Sequence, residues 1–176
     1  PAWETTRALW AADKRNMEKA VGLQLPYNLF RRDIEDEIFG LVRDQGLGVM
    51  AYSPLAIGLL TGRFRRGQEP PPHTPWSTGE NRGLSPHQYK LDEALDEFND
   101  RIVQTLVDIG TRHSRAPAQV AIAWILDHPE ISAPILGADL PEHVDEIFDG
   151  LEWELPAEER QLLDDVSERP LPRKFA

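Results

Sequence analysis

Residues 48–64 read GVMAYSPLAIGLLTGRF, and the change of character just after Tyr52 decides the fold. Positions 49–52 are a short run with the look of a buried strand. Pro54 breaks it, because proline cannot donate to a ladder, and a loop opens. Gly58 and Gly62 lie in that loop, where a residue without Cβ lets the backbone come close to a ligand. Parallel α/β proteins place their chemistry at strand ends that spill small and polar residues into such loops.

Upstream, residues 32–45 pattern as a helix with Ile34, Ile38, Leu41 and Val42 on one face and Gly46 as a left-handed terminator. Before it, 21–25 is a short strand ended by Pro26. Residues 2–15 form a further helix with Trp3, Leu9 and Trp10 on its apolar side, stopping near Asn16. Helix, strand, helix, strand in this order implies parallel pairing through crossovers.

Downstream, residues 65–85 are rich in proline, glycine and polar side chains and have no period. They predict a long flexible loop, either a lid or a disordered segment. Trp76 on this loop is either part of a lid over a substrate or a surface residue. Ser85 is placed to cap a helix with Pro86 at its first position. Leu91, Leu95, Phe98, Ile102, Leu106 and Ile109 then step by three and four, predicting helix to about residue 112. A helix starting at Pro117 is apolar nearly all round and so is expected to be buried. A last strand over 133–136 ends at Gly137, Pro141 opens a short helix to about 148, and 156–167 make an acidic one. The tail from Pro170 to Ala176 reads as unstructured.

The 176 residues, 40% apolar and 28% charged, fit one globular domain over 1–176. A formal charge of −11 argues against nucleic acid as a partner. Cysteine is absent, which rules out disulfides, thiolate metal sites and a cysteine nucleophile, and fits a reducing, cytoplasmic setting. No metal site is expected. No run approaches the roughly 18 apolar residues of a membrane helix. The chain opens on Pro1 rather than Met, so it is expected to belong to a longer polypeptide.

Four blocks, in order, carry a family resemblance: Gln24-Leu25-Pro26-Tyr27-Asn28, then residues 52–64, then PAQVAIAWIL from Pro117, then PILGADLPEHVDE from Pro134. The Leu151-Glu152-Trp153-Glu154-Leu155 run follows them. Together they resemble the C-terminal part of an aldo-keto reductase, in the branch that includes bacterial reductases and potassium-channel beta subunits. The resemblance implies an α/β fold, a partial (β/α)8 TIM barrel carrying strands six to eight, and NAD(P)H as cofactor with a small carbonyl substrate. The family's catalytic Asp, Tyr, Lys and His precede the matched region, so no catalytic residue carries over, and none of His73, His87, His113, His128 and His143 matches the family's proton-relay histidine. Three parallel strands do not close an eight-stranded barrel. The chain is therefore expected to be unstable alone or to depend on the missing N-terminal half of the barrel.

The resemblance also assigns binding residues. Gln24 would hold the nicotinamide carboxamide, which needs both a donor and an acceptor; the alternative is a buried amide satisfied by backbone. Tyr52 would stack on the nicotinamide ring, or else is a core aromatic. Ser53, Pro54, Leu55, Gly58 and Gly62 match the loop that crosses the pyrophosphate, and Arg63 could pair with phosphate or belong to a solvated loop face with Arg65 and Arg66. Ile57 stands where many relatives have Arg. After Gly137 the sequence departs further. The Arg that grips the 2′-phosphate is replaced by Asp139, the neighbouring hydroxyl residue by Leu140, a Gln by His143 and an Asn by Ile147, while Glu146 keeps the pattern. A carboxylate repels a phosphate but accepts from a free ribose hydroxyl, so Asp139 favours NAD(H) over NADP(H); the other reading is a decayed adenosine site. Three functions compete. They are the cofactor-binding portion of a carbonyl reductase, a non-catalytic regulatory module that binds a protein partner, and a truncated remnant without function.

Overall fold

The computed structural model describes residues 1–77, 90–138 and 140–169. Ser85 with Pro86, Asp139 and the tail from Pro170 lie outside the described residues. Helix α1 (Ala2–Lys14) leads to strand β1 (Gly22–Pro26), a 3₁₀ turn at Asp33–Glu35 and α2 (Ile38–Gln45). Strand β2 (Gly48–Tyr52) follows, then the loop beyond it with a 3₁₀ turn at Leu59–Thr61. After α3 (Leu91–Ala94), α4 (Glu97–His113) and α5 (Pro117–Leu126) comes β3 (Ile131–Ile135), and α6 (Pro141–Phe148) and α7 (Ala157–Ser167) close the described chain.

The three strands form one parallel sheet in the order β1-β2-β3, as the alternation of elements implies. Gln24 is paired with Met50, and Met50 with Ala133; Leu25 is paired with Ala51, and Ala51 with Pro134. The pleat sends alternate residues to opposite faces. One face packs on the helices: Val49 and Ala51 are fully buried with Tyr27, Trp124 and Ile125. Each such large aliphatic or aromatic side chain contributes roughly 1.5–3 kcal/mol through burial. The other face carries Gln24, Met50, Tyr52, Ala133 and Ile135, all exposed, and the outer edges of β1 and β3 pair with no strand among the described residues.

The structure corrects four expectations. Trp3 and Trp10 of α1 are exposed, and only Leu9 of that trio is buried. The Arg7 guanidinium and Lys14 ammonium lie over their rings at 5.5 and 5.7 Å. The helix expected over 32–45 splits, because Glu35 is tied to Arg32 and to the Tyr27 hydroxyl and the first turn closes as 3₁₀. The long helix toward 112 restarts at Asp96, whose carboxylate accepts from Asn99 N–H at 2.7 Å, while Asn99 Nδ2 donates to the Ala94 carbonyl. The apolar period survives that break, so Leu91, Leu95 and Ile102 still share one core. Finally, Trp76 is not a surface residue. It is 4% exposed and packs near Phe64.

Candidate functional site

At the C-terminal edge of the sheet, the loops after β2 and β3 and the N-terminal parts of α5 and α6 enclose a cleft of about 680 Å³. Tyr52, at the end of β2, presents its ring there at 38% exposure. The next residues turn sharply, with Ser53, Ala56, Ile57 and Gly58 all at positive φ, between 49° and 83°. Left-handed backbone at three non-glycine residues within five positions is costly, and Ile57, being β-branched, is the most strained.

Identifiable bonds hold this conformation. Asn28 Nδ2 donates to the Ser53 carbonyl at 2.9 Å from the loop after β1. Trp76 Nε1 donates to the Ile57 carbonyl at 2.9 Å. Within the loop, Ala56 N–H donates to Ser53, Leu60 N–H to Leu55 and the Thr61 hydroxyl to Gly58. The N–H groups of Leu55, Ile57 and Gly58 donate to no acceptor among the described residues. The same loop buries Leu59 and Leu60 beneath it. Those three N–H groups belong to residues that line the cleft.

Of the residues singled out in the sequence, Tyr52, Ser53, Pro54, Leu55, Gly58, Arg63, Gly137, His143 and Glu146 all line this one cleft. Gly62 does not. Its φ of 75° demands glycine, and a Cβ there would sit 3.1 Å from Val107 and 3.3 Å from Pro117, so its place is explained by packing on α4 and α5. Gln24 stands apart, on the exposed sheet face in register with Met50. It is not the buried amide considered as its alternative. Asp139 lies outside the described residues, between Ala138, which lines the cleft, and Leu140, which precedes α6 and gives it no side-chain cap. Sequence reading missed the apolar wall made by Phe64, Ile135 and Leu136 and the supporting roles of Asn28 and Trp76. Asn28 stood in a quoted block, but nothing local reveals that its amide reaches a loop 25 positions on.

Across the cleft, Arg63 Nη1 from the loop after β2 meets Nε2 of His143 on α6 at 3.3 Å. Glu146, one turn further along α6, contributes a carboxylate to the same wall, and its carbonyl accepts from Gln119 of α5. A second titratable group of the molecule lies on the opposite side of the sheet. His128 is buried between Tyr27, Phe39 and Trp124. The Tyr27 hydroxyl donates to Glu35 at 2.6 Å and meets His128 Nε2 at 3.0 Å, while Arg160 Nη2 lies 3.4 Å from its Nδ1. That arrangement assigns the proton to Nε2 and leaves Nδ1 as acceptor. Burial, then the Arg160 charge, holds the imidazole below its ordinary range, and burial with Glu35 pushes the Tyr27 phenol up.

Parallel strands joined by helices, with a cleft at their C-terminal ends built from these blocks, define the family. The chain belongs to the aldo/keto reductase family, whose model matches residues 2–168. It is similar to Protein tas of Escherichia coli (strain K12), at 29% identity over 88% of this chain and 42% of that protein. It is 31% identical to the uncharacterized oxidoreductase YrpG of Bacillus subtilis (strain 168), over 96% of this chain and 47% of the other. A probable voltage-gated potassium channel subunit beta of Arabidopsis thaliana is 30% identical over 82% and 42%. Among solved structures, a glycerol dehydrogenase from Gluconobacter oxydans superposes with a TM-score of 0.69 at 25% identity, covering 92% of this chain and 48% of that one. The chain spans about half the length of the curated relatives it matches.

Proposed function

We propose that the cleft binds a nicotinamide dinucleotide and that the chain supplies the cofactor-binding portion of a carbonyl reductase. The observation that carries this reading is the convergence, around one cavity, of a half-exposed tyrosine, a loop whose Leu55, Ile57 and Gly58 N–H groups have no acceptor among the described residues, and Arg63. That donor set fits the group: backbone amides and a guanidinium suit a diphosphate, and a flat phenol suits a flat heterocycle. Tyr52 would lie against the nicotinamide and fix the face it presents. Residues 53–58 and Arg63 would hold the pyrophosphate. Gln24, on the exposed sheet face upstream of Pro26, would reach the carboxamide. When bound, the reduced nicotinamide supplies a hydride to an aldehyde or ketone. The residues of this chain bind and orient; the proton donor of the reaction is assigned to strands outside it.

Two finer readings belong with this one. Asp139, where relatives place an arginine, favours NAD(H) over NADP(H), because a carboxylate repels a 2′-phosphate and accepts from a 2′-hydroxyl. The exposed sheet face and the open strand edges are taken to pack against further strands of a (β/α)8 barrel. Titration with NADH and NADPH, following quenching of protein fluorescence, tests the cofactor reading. NADH should bind more tightly, and Asp139→Arg should reverse the order; NADPH held tighter by the unaltered protein would refute the preference. A regulatory role is the second reading, favoured by the likeness to a protein named as a probable channel subunit beta. It predicts dinucleotide binding without carbonyl reduction once the barrel is complete, whereas a remnant would bind neither form.

A further inference from the structure

Helix α1 docks by one side only. Leu9 is buried, Ala2 packs on the core and donates its N–H to the Glu37 carboxylate at 3.0 Å, and Thr5 and Ala12 are half-buried beside them. Trp3, Arg7, Trp10 and Lys14 recur at steps of four, three and four residues. With about 3.6 residues per turn they form a single stripe, roughly opposite the docked side. All four are exposed, the two indoles at 55% and 63%. Neighbouring helices in the outer ring of a barrel would meet the flanks of α1 and leave this stripe bare. Each indole carries a cation of its own helix on one face, the Arg7 guanidinium at 5.5 Å and the Lys14 ammonium at 5.7 Å from the ring centres. An aromatic ring is negative on both faces, so the second face can receive a cation from elsewhere.

We propose that α1 is the contact surface of a symmetric dimer, with α1 of a second copy lying antiparallel across this stripe. The order of residues along the stripe selects that partner. Trp3 to Arg7 and Trp10 to Lys14 are the same step of four, so one register satisfies both pairs. When Trp3 faces Lys14 of the second copy, Arg7 faces its Trp10, and the two-fold axis repeats each pairing. Every cation then meets an indole, whereas a parallel pairing would set cation against cation. Glu4, in the first turn, falls beside Arg15 at the far end of the other helix. Elsewhere the molecule resists self-association, because each copy carries a formal charge of −11. That repulsion is least at α1, where Arg7, Lys14 and Arg15 outnumber Glu4 and Asp13. Four large side chains from each copy make a small interface, so the dimer is weak and exchanges readily.

Sedimentation velocity of the 176-residue chain and its variants tests the pairing. Trp3→Gln with Trp10→Gln alters only exposed positions, so the urea midpoint should hold while the dimer dissociation constant rises roughly tenfold or more. Lys14→Glu, which sets a carboxylate against Trp3 of the second copy, should weaken the dimer in the same way. The chain has no cysteine, so Thr6→Cys, at an exposed position beside the stripe, gives a short bis-maleimide a single point of attachment. Two copies should be joined through it, and the joining should fail when both tryptophans are replaced. Self-association unaltered by either set of substitutions would overturn the pairing, as would links that form through Ala133→Cys on the bare sheet face but not through Thr6→Cys. A chain that stays monomeric overturns it too, and binding to phosphatidylserine vesicles that is lost with the two tryptophans would then assign the stripe to a lipid surface.

Discussion

Ile57 sits at φ 55°, a conformation that a β-branched residue adopts only where its surroundings impose it. The indole of Trp76 supplies part of that imposition by donating to the Ile57 carbonyl. Trp76→Phe keeps an aromatic ring in the core and removes the donor. It removes one hydrogen bond to the loop, which costs about 0.5–1.5 kcal/mol. Urea unfolding should show that loss, and dinucleotide affinity should fall further than the unfolded fraction accounts for, because the loop relaxes from its strained form. Unchanged affinity in a destabilised protein would mean that the indole only fills space. This residue also marks how far sequence reading reaches. Tyr52, Gly58 and Arg63 stood together in one legible stretch, whereas Trp76 was unreadable because its partner lies 19 positions away in a segment with no period.

At the scale of elements, the helices were legible wherever burial follows a simple period. Helix α5, apolar almost all round, is buried almost all round, and α7 lies where its pattern placed it. What escaped was punctuation by side chains, such as the Asp96 cap, whose effect depends on Asn99 returning to Ala94. The docking of α7 shows the same dependence on contacts distant in sequence. Its Arg160 pairs with Asp127 just beyond α5, the Trp124 indole of α5 donates to Asp164, and Arg32 donates to the Asp164 carbonyl and the Ser167 hydroxyl. His128 sits within this joint as a neutral ring, and its folded-state pKa lies below the ordinary 6.5. Above that value both folded and unfolded chains hold the ring neutral, so stability does not change with pH on its account. Below it the unfolded chain takes the proton first, and stability falls as pH falls toward the folded value. Between pH 7.5 and 5.5 the unfolding midpoint in urea should drop, and His128→Gln should flatten that slope. An identical slope in the variant would place the titration elsewhere. Glu35 acts in a separate window: burial raises its carboxyl, the bonds from Arg32 and Tyr27 outweigh that, and its net lowered pKa removes stability only below about 4.5.

At the scale of the whole molecule, the sheet has a dressed face and a bare one. Met50, Tyr52 and Ile135 expose apolar surface side by side next to open strand edges, a combination that invites pairing. Sedimentation velocity of the chain should therefore show association that grows with concentration. A monodisperse monomer across that range would show that the bare face needs no cover. The five tryptophans are sorted by the same architecture. Trp3 and Trp10 face solvent, Trp153 is half-buried, and Trp76 and Trp124 are buried. A water-borne quencher such as iodide would silence the exposed pair first and the buried pair last. One of that buried pair is bonded to the turn that carries Ile57, so part of the light that remains reports on the loop itself, and the protein carries its own lamp at the place where a ligand would arrive.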